Sequence, residues 1–478
     1  MTSTVRRAGG FALVGTLSLS VSATGAVTDR AVATVAAPGP FIVVAALALY
    51  VVDEGPLFDL FARPGDRRDG RLYGLAGFAL AAAALALLTV RFGMPLPVYV
   101  GTVLLLSWGN LGGHLVRSVS NEPILATAGF VVAGFFAGVT GQYAAAAVAG
   151  AFSAGTPLSW PLVAFLAASG ALLGALLRVV LFERDDPLVM VSVGLLLWLF
   201  FDLPLSLSTT RIAVALAVTV ALGWLSYALE TASLPGMLTG VLLGLLTIVL
   251  GGDGWFVVLI TFFAVGGLST KFRYETKRDR GIAEENEGAR GSGNVLANSL
   301  AGLVAVLGAA ASPVTGMSRT LFLFAFAGAI AAAMGDTLSS EVGGVFDGPR
   351  LITTLEPVEP GIDGAVTWQG ELAGLAGTVL IAGVAAWTFP AVSTVGAGIV
   401  VAAGVVGMTV DSLLGATLEG ALLGNEGVNF AATVSGALTA GLVAVGTGVV
   451  PTVMTGVVPT VMTGVVPTVM TGVVSLQP

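Results

Sequence analysis

The sequence predicts an all-α fold, a polytopic bundle of about fifteen transmembrane helices. Three observations carry this prediction. The chain of 478 residues is 56% hydrophobic and only 10% charged, whereas a soluble domain carries about 25% charged residues. Its mean hydropathy is +0.96. Apolar runs long enough to cross a hydrocarbon core of about 30 Å recur from end to end. The 66 glycines fit the same picture, because small residues let membrane helices approach closely. By themselves they do not indicate a cofactor loop.

Residues 1–26 hold a basic pair (Arg6, Arg7), an apolar run and the small residues Ala23-Thr24-Gly25-Ala26. The pattern suits a signal peptide. Further spans follow without an exported domain, so it is read as a first helix. The remaining apolar runs are 33–52, 72–90, 96–116, 123–153, 160–182, 188–202, 211–229, 234–250, 254–270, 294–312, 319–334, 370–389, 391–409 and 428–448. Basic loops at Arg63–Arg71, at Arg184 and at Lys271–Arg290 belong in the cytoplasm by the positive-inside rule. That placement requires 123–153 to cross once, with a re-entrant or tilted remainder, and puts the N-terminus inside. Carried forward, the count brings 271–293, 335–370 and 411–427 to one cytoplasmic face, in the cell membrane.

Three regions follow: an N-terminal transmembrane bundle (1–229), a second transmembrane domain (230–449) and a tail (450–478). The tail repeats Pro-Thr-Val-Met-Thr-Gly-Val-Val three times from Pro451 to Val474. Proline at that period defeats helix and strand ladders alike, so the tail reads as low-complexity expansion.

With no cysteine, disulfides, thiolate metal sites and cysteine nucleophiles are excluded. The single histidine, His114, leaves no histidine cluster and reads as a boundary residue. A net charge of −8 with two lysines, Lys271 and Lys277, argues against a nucleic-acid partner. Arg63-Pro64-Gly65-Asp66-Arg67-Arg68-Asp69 reads as a solvated loop.

Polar chemistry is concentrated in three segments of the second domain. The first runs from Ser269-Thr270-Lys271 to Gly288-Ala289-Arg290-Gly291-Ser292-Gly293 and opens a helix carrying Asn294 and Asn298 on one face. Free N–H groups and the dipole at a helix start favour anions, and Lys271 and Arg290 add charges suited to phosphate. An ordinary topology-setting basic loop has the same composition. The second segment, Gly335-Asp336-Thr337-Leu338-Ser339-Ser340-Glu341, sets two carboxylates among three hydroxyls beside a span. A charge at the bilayer centre costs roughly 2.5–3.5 kcal/mol, so these residues need a purpose. Carboxylate with hydroxyl is a hard-oxygen set suited to Mg²⁺. After it come Pro349-Arg350-Leu351-Ile352-Thr353-Thr354 and Gly361-Ile362-Asp363-Gly364, able to cradle phosphate yet without the P-loop pattern. The third, Asp411-Ser412-Leu413-Leu414-Gly415-Ala416-Thr417-Leu418-Glu419, echoes the second; its two acids lie about 80° apart on a helix. Two Asp-centred segments and a basic glycine-rich one at one face suit phosphoryl transfer. A carboxylate-lined transporter or lipid flippase would use the same groups.

These motifs resemble a known family. Residues 230–445, through Thr270-Lys271, Gly281-x-Ala283-Glu284, Gly288-x-Arg290, Val295-Leu296-Ala297-Asn298, Gly335-Asp336-Thr337-x-x-Ser340-Glu341-x-Gly343, Pro349-Arg350-Leu351-Ile352-Thr353-Thr354, Gly361-x-x-Gly364-x-Val366-Thr367 and Asp411-Ser412-Leu413-Leu414-Gly415-Ala416, are similar to the domain-of-unknown-function family ninety-two. That family contains animal transmembrane protein nineteen and plant phytyl-phosphate kinase. The resemblance implies phosphorylation of an isoprenyl monophosphate (phytyl, geranylgeranyl or polyprenyl) to the diphosphate, with CTP or ATP as co-substrate. Asp336, Glu341 and Asp411 are then expected to be catalytic and to hold Mg²⁺. Lys271, Arg290, Asn294, Asn298, Thr337, Ser340, Arg350, Thr353, Thr354 and Ser412 are expected to bind phosphates and substrate. The N-terminal half is more faintly similar to dolichol and phytol kinases. There Asn110, in Gly109-Asn110-Leu111-Gly112-Gly113, replaces their acid, so this half is read as degenerate or structural.

Overall fold

The computed structural model describes residues 3–26, 29–150, 158–181, 186–282 and 289–450. It is a helix bundle with one two-residue β-ribbon, Arg350–Leu351 against Ala365–Val366. Helix starts follow the caps: Ser233, Ser318, Thr367 and Ser393 each accept a hydrogen bond from a backbone N–H two or three residues on, the satisfaction a helix start requires.

Among the described residues, eleven helices are long and apolar enough to cross a membrane, fewer than the fifteen runs suggest. Several apolar runs form shorter helices, including Ser3–Thr16 and Asp253–Ser269. The helix Leu96–Arg117 is long but carries Asn110, His114 and Arg117 in its last turns. The run 123–153 does not break into a span and a re-entrant piece. Pro123–Gly150 is one helix of 28 residues, about 42 Å long, packed along Leu96–Arg117. The arginine loop Arg184 and the repeat tail lie outside the described residues.

The N-terminal segment is built into the first half of the bundle. Phe11 of Ser3–Thr16 stacks edge-on against Phe61 and Phe78. Arg63–Asp69 is largely exposed, as the solvated reading expects, but it is not a loop. Pro64–Asp69 is a helix whose buried Asp66 accepts a hydrogen bond from the Arg63 N–H at 2.9 Å. The Arg63 guanidinium reaches 123 residues along the chain to Asp186 at 2.5 Å, and Arg178 meets the same carboxylate at 3.0 Å. Asn110 and His114 sit in a small pocket with Arg7, Arg63 and Arg178.

The second half is organised around the Asp336 helix, Arg319–Gly343, which packs against Ser292–Thr315, Trp368–Thr388, Thr394–Leu418 and Asn425–Gly446. Every residue from Phe326 to Thr337 is buried. The packing depends on small residues. A Cβ on Gly407 would lie 2.3 Å from Ala332 Cβ and 2.9 Å from the Ala432 carbonyl oxygen.

Two helix ends differ from the hydropathy reading. The runs ending at 334 and 409 continue as helix to Gly343 and Leu418. In the Asp411 helix polar side chains do not end the helix because hydroxyls bond back to carbonyls one turn earlier, Ser412 to Met408 at 3.3 Å and Thr417 to Leu413 at 2.7 Å; in the Asp336 helix Ser339 bonds instead to Glu371 on a neighbouring helix at 3.4 Å. Asp336 and Asp411 therefore each lie seven residues before a helix end, about 10 Å inside it.

Gly407→Leu is predicted to lose roughly 1–3 kcal/mol of stability through overpacking. A thermal melt of the detergent-solubilised protein checks this, with a lowered midpoint as the expected result.

Candidate active site at the paired carboxylates

The Asp336 and Asp411 helices cross so that their two carboxyls face each other at close range. Close approach makes this possible: a Cβ on Gly407 of the Asp411 helix would lie 2.3 Å from Ala332 Cβ of the Asp336 helix, and one on Gly335 would lie 3.5 Å from Met408 Cβ. Ser340, one turn beyond Asp336, places its hydroxyl beside the Asp336 carboxyl. Asp411 Oδ1 is buried without a hydrogen-bond partner. Two carboxylates in contact repel, so the pair needs a proton or a cation between them. A buried oxygen left over for a further bond fits a cation.

On the other flank of Asp336 stands Arg290, buried at 4% exposure. Its backbone N–H donates to Thr231 O at 3.1 Å, and its carbonyl accepts from the Ser233 N–H and hydroxyl at 3.1 and 3.2 Å. The guanidinium lies 5.5 Å from the centre of the Phe262 ring and donates to Thr337 Oγ1 at 3.4 Å. A buried guanidinium next to a buried carboxylate offsets the desolvation of both.

Asp411 opens onto a cavity of about 720 Å³. Asn294, Ser340, Glu341 and Ser412 line it, so the structure brings these predicted residues together with Asp411. Asp336, Thr337 and Arg290 stand behind that wall. Asn298 lies one turn deeper and donates back to Asn294 O at 3.0 Å. Lys271 is half-buried outside the lining. Arg350, Thr353 and Thr354 do not join the site. They are exposed on the β-ribbon, where Arg350 Nη1 is held by Leu355 O at 2.6 Å.

Glu341 departs from its expected role. Lys277, 2% exposed, donates to Glu341 Oε2, to Thr270 O at 2.7 Å and to Ser269 O at 3.3 Å. The carboxylate is thus held by an ammonium. Among the described residues no group of three or more acids or histidines is placed to hold a metal ion; of the three expected ligands, Asp336 and Asp411 face each other and Glu341 is paired with Lys277. Lys277 escaped the sequence reading. Its signal was rarity, since the chain has two lysines, and the short helix Tyr274–Asp279 turns this one inward. Ser339, which bonds to Glu371 at 3.4 Å, and Asp363 also became visible only in the fold. The motif residues Ala283, Glu284 and Gly288 lie outside the described residues.

The cavity wall carries Glu341, Asp363, Asp411, Glu419 and Glu426 against Lys277. Burial, with Asp363, Asp336 and Glu426 nearby, pushes the Glu419 carboxyl above the usual glutamate range. Three helices also start at this wall, at Ser292, Trp368 and Asn425. Their unsatisfied N–H groups present partial positive charge. Acids and helix starts on one wall suit a phosphate accompanied by a divalent cation, in which Mg²⁺ bridges one or two carboxylates to phosphate oxygens. The aspartate pair fits such an ion.

Removing one partner of a buried ion pair costs about 3–5 kcal/mol. Lys277→Met is predicted to destabilise by that order, and Lys277→Met/Glu341→Gln to recover much of it, in thermal or chemical unfolding. Glu419→Gln has the opposite sign. A raised folded-state value means that ionised Glu419 opposes folding above it, and protonation relieves this as pH falls. The variant is therefore predicted to melt higher than the parent at pH about 8, by an amount that shrinks toward pH about 5.

Residues 217–437 match the family model Integral membrane protein DUF92. The membrane protein MJ0933 of Methanocaldococcus jannaschii is 36% identical over 210 residues, 44% of this chain and 84% of that protein. The membrane protein sll0875 of Synechocystis is 34% identical over 194 residues, 40% of this chain and 74% of that protein. Protein VTE6, chloroplastic, of Arabidopsis thaliana is 31% identical over 153 residues, 32% of this chain and 46% of that protein. No solved structure matches. The matched region contains the Asp336 helix, the Asp411 helix and the cavity between them, and on the strength of these matches the chain belongs to the integral membrane protein family DUF92.

Proposed function

We propose that the protein is a membrane lipid kinase that transfers a phosphoryl group from CTP or ATP to an isoprenoid monophosphate such as phytyl or geranylgeranyl phosphate. The observation that carries this reading is the Asp336–Asp411 pair, flanked by Arg290 and open to a cavity walled by three helix starts. The family resemblance supplies the substrate class. Asp336 and Asp411 are the residues that would hold Mg²⁺. Bound there, the ion would neutralise phosphate charge and offset the acidic wall.

The reaction balances simply. An oxygen of the acceptor monophosphate attacks the γ-phosphorus of the nucleotide. The bond from that phosphorus to the bridging oxygen breaks, and its electron pair leaves with the nucleoside diphosphate. The acceptor phosphate is already anionic, so no base is needed. Catalysis then rests on positioning and charge. Ser340 orients Asp336, the N–H groups at the start of Ser292–Thr315 face the phosphates, and Arg290 steadies the acceptor side. Thr337 and Ser412 contribute hydroxyls beside the pair.

Transport or lipid flipping is the second reading, favoured by one observation: both aspartates lie within helices counted as spans. Transporter sites sit near the midplane on broken helices. Here the pair lies toward the helix ends, beside an arginine, in unbroken helices, which favours the kinase.

Membranes containing the protein are predicted to convert geranylgeranyl monophosphate to the diphosphate with labelled CTP or ATP and Mg²⁺. Asp336→Asn should lower turnover by roughly 10²-fold or more with expression and gel-filtration profile intact. Parent-level turnover by this variant sinks the assignment. Loss of a carboxylate-dependent flux in proteoliposomes, with no diphosphate formed, would establish transport instead. We also place the cavity at the cytoplasmic face of the cell membrane, from the basic loops. Because the chain has no cysteine, Thr353→Cys on the exposed ribbon gives a clean reporter. An impermeant maleimide should label it only after cells are broken, and labelling of intact cells would reverse the orientation.

A further inference from the structure

We propose that Arg211 and Arg319 form a site for the phosphate of an anionic phospholipid head group, at the membrane edge opposite the carboxylate cavity. The site stands apart from the kinase reading and does not depend on it.

Arg319 opens the helix that carries Asp336 seventeen residues later, so it lies about 25 Å along that helix from the paired carboxylates. Arg211 is the third residue of Thr209–Ala228. Both guanidiniums converge on the break between Leu234–Gly251 and Asp253–Ser269. Arg319 Nη2 donates to the Gly251 carbonyl, and its guanidinium lies 5.8 Å from the centre of the Trp255 ring. Arg211 Nη2 lies 3.3 Å from the place a Cβ would take on Gly252, near enough to Arg319 for the two charges to repel.

A carbonyl and an indole hold Arg319 in place without cancelling its charge. Among the described residues neither guanidinium is in an ion pair, and that of Arg211 makes no hydrogen bond to protein. Asp253, which follows Gly252, is exposed and paired with neither arginine. Two positive charges fixed side by side favour an anion between them. Thr209–Ala228, Asp253–Ser269 and Arg319–Gly343 all begin here, and their starts add partial positive charge.

The level in the membrane selects the anion. The neighbouring helix Trp368–Thr388 ends here with Trp387, 81% exposed, followed by Phe389. The Phe389 ring packs edge-on against Trp255 with centroids 6.1 Å apart. Exposed tryptophan marks the head-group layer, where phosphodiester is the abundant anion. Paired guanidiniums match phosphate oxygens through forked hydrogen bonds. Phosphatidylglycerol brings one negative charge to the pair, whereas the choline of phosphatidylcholine would set a third positive charge beside it.

The test reads binding as stabilisation. Phosphatidylglycerol titrated into the detergent-solubilised protein should raise its melting midpoint, and native mass spectrometry should retain a lipid that Arg211→Gln loses. Arg211→Gln should raise the half-saturating lipid concentration by about tenfold or more, with a lipid-free midpoint no lower than the parent's because a repulsion is removed. Arg319→Gln should weaken binding likewise and serves if the first variant does not purify. Equal lipid shifts in the parent and both variants, or no shift in the parent, would overturn the site. A shift with phosphatidylcholine equal to that with phosphatidylglycerol would overturn the anionic head group. A shift with inorganic phosphate that phosphatidylglycerol does not reproduce would assign the pair to a soluble phosphate and overturn the lipid.

Discussion

Two carboxyls pressed together inside a membrane-protein helix bundle are the constraint to which the second half of this chain answers. Asp336 and Asp411 sit 75 residues apart in sequence, each on a helix of its own. Desolvation and mutual repulsion both oppose their meeting. The bundle overcomes this with backbone proximity. Glycines at 335, 374 and 407 remove the side chains that would hold the helices apart, and dispersion contacts between small residues stabilise the crossing. Arg290 and Ser340 then compensate what the packing has buried.

A second buried pair sets the boundary of the site. Lys277 closes over Glu341 and the carbonyls of Ser269 and Thr270, tying the segment after Asp253–Ser269 to the end of the Asp336 helix. An acid five residues from Asp336 is thereby turned into a structural anchor. The cavity keeps an acidic wall softened by helix starts. An acidic wall of this kind disfavours bare phosphate, and the proposed Mg²⁺ would offset that repulsion.

The first half of the chain follows the same logic with different charges. Arg63 and Arg178 converge on Asp186 beneath Asn110 and His114. Asn110, the position at which the dolichol-kinase-like pattern has an acid, shares its pocket with Arg7, Arg63 and Arg178. The two halves meet along Trp160–Val180 and Leu234–Leu246.

Much of the architecture was legible in the sequence because it depends on local properties. Hydropathy marks the spans, Ser and Thr mark the helix starts, and a carboxylate in an apolar run marks expense in need of a purpose. The motifs around Asp336 and Asp411 mark the family in the sequence itself. Hydropathy ends the Asp411 helix too early, at 409, because hydroxyls bonded back to their own carbonyls carry it through polar residues to Leu418. What only the tertiary structure decided was pairing: Asp336 with Asp411, Lys277 rather than Lys271 with Glu341, Arg290 facing inward and Arg350 held on an outer ribbon. These choices depend on the rotation and register of helices far apart in the chain. Side-chain periodicity tells which face a residue occupies, and only packing tells which neighbour that face meets.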